Sequence, residues 1–184
     1  MSRPLHSLSR EHRRFLIVDE LIGPAIVNFL FNGAIAWYLF RKLPSVPLRG
    51  SPGIALDTLM TAVVLPVLTA LIAAWLVRWR VVHRKLSPIA TELLRPSSWS
   101  RRSFLMRGTL LGVAALVLVA APLVLIFALA GIEHLSLARF IWFKASFAAG
   151  VGILVTPLLG WWALMDASRD AVPGSLAGAL VLES

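Results

Sequence analysis

Glu20, Pro24, Asn28 and Asn32 recur at every fourth position of one apolar run. At about 100° per helical residue each step drifts by about 40°, so all four positions share one helix face. They form a polar stripe about 18 Å long at a rise of about 1.5 Å per residue. Hydrocarbon offers an amide no partner, so this face must turn toward protein or water. Two chemistries fit it. One is the lining of a polar path for a small solute, ion or proton; the other is hydrogen bonding between helices, which contributes about 0.6 kcal/mol per contact.

Two further charges lie inside apolar runs. Asp57, with Thr61 one turn deeper, and Lys144 each stand a few residues inside the same end of their runs, roughly 5 Å below one surface at about 1.5 Å per residue. Equal depth permits an ion pair, and intramembrane charges usually pair or face an interior cavity. Lys144 can instead extend outward past Arg139, because a long stem carries its ammonium to the interface. Below Lys144, Ala148, Gly152 and Thr156 repeat at four-residue spacing. Small residues at that interval let backbones approach closely. Gly108 and Gly112 form the same kind of pair.

Catalytic chemistry is poorly provided for. There is no cysteine, which excludes disulfide exchange and thiolate-held clusters. His6, His12, His83 and His134 all lie outside the apolar runs, so intramembrane haem ligation and a Ser/His protease have no histidine to use. No phosphate loop, His-Glu-x-x-His or Gly-x-Ser-x-Gly motif occurs. The sequence points to no enzyme activity, no cofactor and no metal site.

These residues are positioned by four runs almost free of charge, at about 15–40, 54–77, 108–132 and 140–165, together more than half of the 184-residue chain. Each exceeds the ~20 residues needed to cross about 30 Å of hydrocarbon. The composition agrees, at 58% apolar and 15% charged with a mean hydropathy of +0.81. The first run is too long for the apolar core of a cleavable signal and ends in Trp37-Tyr38-Leu39-Phe40-Arg41-Lys42, so it reads as a retained first span. Each run holds one proline: Pro24, Pro66, Pro122 and Pro157. Their unequal spacing gives no internal repeat of the kind transporters show.

The net charge of +9 is concentrated at span ends, which speaks for membrane orientation rather than nucleic acid. Thirteen Lys and Arg residues fall on the side of the N-terminus (1–14), the 78–107 link and the tail, against four on the other side. The positive-inside rule then places both termini in the cytoplasm. Within the 78–107 link, Ser87 to Leu94 has the signals of two helical turns. Arg95, Trp99, Arg101 and Arg102 follow as candidate contacts for anionic lipid headgroups, at about 1 kcal/mol per cation near the surface. At the same end Asp19, Glu20 and Asp166 reach the depth of Arg78, Arg80 and Arg107, and are read as exposed pairs contributing about 0–1 kcal/mol each. The tail, 168–184, carries Val172-Pro173-Gly174, which is expected to end the fourth helix.

The expected fold is all-α: a polytopic four-helix transmembrane bundle in one domain, 15–167, in a cell membrane of bacterial inner-membrane type. Two functions remain open. The first moves a small polar solute, ion or proton past Glu20, Asn28, Asn32, Asp57 and Lys144 in a homo-oligomer. The second is a non-catalytic scaffold or assembly subunit of a larger membrane complex, in which the polar residues only hold helices together.

Overall fold

A computed structural model describes residues 21–83 and 103–182, the last twelve of these as backbone. It contains four helices long and apolar enough to cross a membrane. They are α1 (Gly23–Phe40), α2 (Ile54–Val82), α3 (Phe104–Leu129) and α4 (Leu137–Leu182). Ser87 to Leu94, Glu20, Arg95, Trp99, Arg101 and Arg102 lie outside the described residues.

Local signals explain most helix ends. Pro24 occupies the first turn of α1, where a missing N–H costs nothing. Ser103 caps α3, its hydroxyl accepting from the Met106 N–H at 3.3 Å. At the other end of α3 the Ile132 N–H reaches the Phe127 carbonyl at 3.0 Å and the Gly131 N–H reaches that of Ala128 at 3.2 Å. Gly131 adopts φ 68°, the left-handed conformation that this paired closure needs and that glycine takes without strain. Within α3 a π-turn, Leu116–Ala120, directly precedes Pro122, absorbing the bond that the proline cannot make.

One expectation is extended and one corrected. The fold is mostly helical, but not without strands: the links α1–α2 and α3–α4 each contribute a short one, β1 (Ser45–Pro47) and β2 (His134–Ser136), which pair antiparallel with Val46 opposite Leu135. The prolines that keep the first link extended also leave its backbone groups unpaired, and β2 supplies the partners. Val46 is thereby buried against Phe40, Ile54 and Phe140. Nor does Pro173 end α4, whose backbone continues helically to Leu182. A proline removes one ladder bond and bends a helix, but need not stop one.

Packing follows the order α1, α4, α2, α3, so α1 and α3 occupy opposite flanks. The last helix in the chain is therefore central: 56% of its most apolar stretch is buried, against 17–28% in the others. α2 is buried between α4 and α3 at Thr58, Ala62, Pro66, Ala70, Ala73 and Val77. On α3, Gly108 and Gly112 seat directly on the α2 backbone, where added Cβ atoms would come within 2.8 Å of Ala70 Cβ and of the Val63 carbonyl. Close approach here requires glycine.

Candidate functional site

Asp57 stands in the first turn of α2, where the helix dipole favours a carboxylate. Opposite it on α4 the Lys144 ammonium donates to Asp57 Oδ1, forming an ion pair with side chains 5% (Lys144) and 13% (Asp57) exposed. The lysine thus turns into the protein instead of extending to the surface. Asp57 Oδ2 is buried and has no hydrogen-bond partner among the described residues. Thr61 does not serve the carboxylate: its hydroxyl donates to the main-chain carbonyl of Asp57 at 2.7 Å. Thr58 does the same to Ile54, also at 2.7 Å.

The asparagine stripe of α1 faces α4. Asn28 rests against Gly152 so closely that a Cβ there would collide with its Nδ2. Asn32 is buried and donates from Nδ2 to the Asn28 carbonyl at 3.0 Å. Phe40 against Phe140 (4.7 Å between ring centroids) and Asn28 against Gly152 share one antiparallel register, and Phe29 lies against Trp142 (5.5 Å). Gly33 faces Ala145 with room for an added Cβ in ordinary contact. One turn beyond Gly152, Thr156 is buried with no hydrogen-bond partner for its hydroxyl among the described residues.

A residue assigned to the 78–107 link proves to be the largest fully buried side chain among the described residues. Arg107, in the second turn of α3, is 1% exposed. Its guanidinium lies 2.9 Å from Asp166 Oδ2 on α4 and over the rings of Phe104 and Trp162, at 4.7 and 6.0 Å. Asp166 also receives Arg169 at 3.3 Å. The reading of Arg107 and Asp166 as a surface pair is therefore overturned: the planar, weakly hydrated guanidinium can stack on aromatics while its charge is matched. Arg78 instead lies 3.9 Å from Asp170, which the sequence reading did not single out, and both side chains are largely exposed. The buried periodicity of α3, Gly108, Gly112 and Ala115, was the available signal, since it continues into Arg107 and Phe104.

Lys144 and Asp166 are 22 residues apart on α4, which corresponds to about 33 Å of rise and a rotation of about 40°. The two pairs thus grip one face of the central helix at a separation comparable to the thickness of a hydrocarbon layer, about 30 Å. At one end α4 supplies the cation and α2 the acid; at the other α4 supplies the acid and α3 the cation. Among the described residues no group of three or more metal-ligating side chains occurs. Comparisons with family models, curated proteins and solved structures yield no match, so function is argued from this geometry alone.

Proposed function

We propose that this chain is a non-catalytic integral membrane protein that organises or assembles a membrane complex. What carries this reading is that polar side chains of the described spans are engaged inside the bundle: Lys144 bonds Asp57 across α4 and α2, Asn28 packs on Gly152 across α1 and α4, and Asn32 donates to its own helix. Contacts of this kind hold helices together in lipid, where no hydrophobic force separates helix from acyl chain. In this reading both termini and the arginine-rich link face the cytoplasm, by the charge asymmetry of the links. Arg95, Trp99, Arg101 and Arg102 meet anionic lipid there. The partner is a second copy of the chain or another membrane protein.

One observation favours the rival, movement of an ion, proton or small polar solute. Asp57 Oδ2 and Thr156 Oγ1 are buried polar atoms with bonding capacity left over among the described residues. The two readings separate in proteoliposomes. With the double variant Asp57→Asn/Lys144→Met as control, neither protein should carry protons or alkali cations faster than empty vesicles. Removing both members of a buried pair is tolerated far better than removing one, so the control should remain folded. A flux in the wild type that the double variant loses overturns the scaffold reading. Cross-linking in native membranes should recover a second copy or one defined membrane partner.

A further inference from the structure

A cleft of about 380 Å³ opens beside the two-stranded sheet, with Leu48, Arg49, Ala128, Gly131, Glu133 and His134 among its walls. Its floor is fixed by structure already described. The Leu48 N–H donates to the Glu133 carbonyl at 2.7 Å, and Gly131 closes α3. Arg49 and Glu133 bring opposite charges into this one space, yet they form no ion pair with each other. Neither side chain has a hydrogen bond or ion pair among the described residues. The last turn of α3 adds the negative pole of a helix on the Glu133 side. Immediately below on the same helix, Leu125, Ile126 and Leu129 are exposed, an apolar surface suited to acyl chains.

We infer that the cleft binds a phospholipid headgroup carrying both a phosphate and a primary ammonium, of the phosphoethanolamine type. The phosphate meets Arg49, whose planar fork matches its oxygens. The ammonium meets Glu133 and the carbonyl end of α3, and its three N–H groups give it donors that a quaternary ammonium lacks. The acyl chains lie along Leu125, Ile126 and Leu129. A purely anionic headgroup finds its phosphate partner but also faces Glu133. The space is of the size usual for small-ligand sites. The inference is independent of whether the chain scaffolds or transports.

Native mass spectrometry of the full chain, delipidated in detergent and titrated with phosphatidylethanolamine, phosphatidylcholine or phosphatidylglycerol, tests it. The wild type should retain the ethanolamine lipid about tenfold better than the choline lipid, the scale of one charge-assisted hydrogen bond. Glu133→Gln should erase that difference without weakening phosphatidylglycerol. Arg49→Gln should weaken the ethanolamine and glycerol lipids alike, about tenfold. Both side chains are exposed and unbonded, so an unchanged far-UV spectrum and elution volume are expected. Equal retention of the three lipids, or a preference surviving both substitutions, overturns the site. Full displacement of lipid by soluble glycerophosphoethanolamine assigns the cleft to a free zwitterion and overturns the lipid assignment.

Discussion

The sheet end and the arginine end of this molecule solve one problem by different means. Each holds a carboxylate and a cation in a helix seam, one toward either end of α4. At the sheet end the cation is a lysine, a compact charge with one carboxylate oxygen as its partner, while Phe40, Phe140 and the paired links close over the seam. At the arginine end the cation spreads over a plane, lies against two rings, and shares its carboxylate with Arg169. Asp166 therefore keeps a cation if Arg107 is lost. Asp57 has no second cation among the described residues. The difference teaches that two pairs of similar appearance should not be equally costly to break.

The largest effect is expected for Lys144→Met, which strands a buried carboxylate and should destabilise by about 3–5 kcal/mol in reversible unfolding from mixed micelles. Arg107→Met should cost less, about 2 kcal/mol, because Arg169 remains at 3.3 Å from Asp166. If the two variants unfold equally easily, or in the reverse order, the contrast between the ends fails. Ser103→Ala sharpens it further. Removing the cap frays the start of α3 without touching a charge, and should lower stability by about 1 kcal/mol. Its effect should add to that of Lys144→Met at the remote sheet end, but not to that of Arg107→Met one turn away, in a double-mutant cycle.

How much of this could be read from the sequence depended on whether a property runs along one helix or between two. Span existence is one-dimensional, since a run of apolar residues must be long enough, and each of the four runs overlaps a helix long and apolar enough to cross a membrane. The depth of Asp57 and Lys144 is one-dimensional too, which is why their equal level was visible; their bond was not, because depth says nothing of rotation. The stripe of Asn28 and Asn32 was legible as a face, but its partner Gly152 required the antiparallel register of α1 on α4. Arg107 was assigned to the link because an arginine marks where an apolar run stops, and burial beside aromatic rings is a property of neighbours. The β1–β2 pairing was equally out of reach. Three-residue strands are too short to show alternation, and the two are separated by nearly half of the chain. The order α1, α4, α2, α3 is likewise a property of faces meeting, with no trace in the spacing of residues.

That packing order sets a schedule for biogenesis. Translation delivers α4 last, although α1 and α2 are both organised around it, and Asp57 emerges 87 residues before Lys144. Until α4 has followed the other three helices out of the ribosome, a bare carboxylate and two side-chain amides lack the surfaces that cover them here. The three earlier helices thus wait as guests, and a chain that stops short of Lys144 would present the bilayer with its most polar surfaces uncovered.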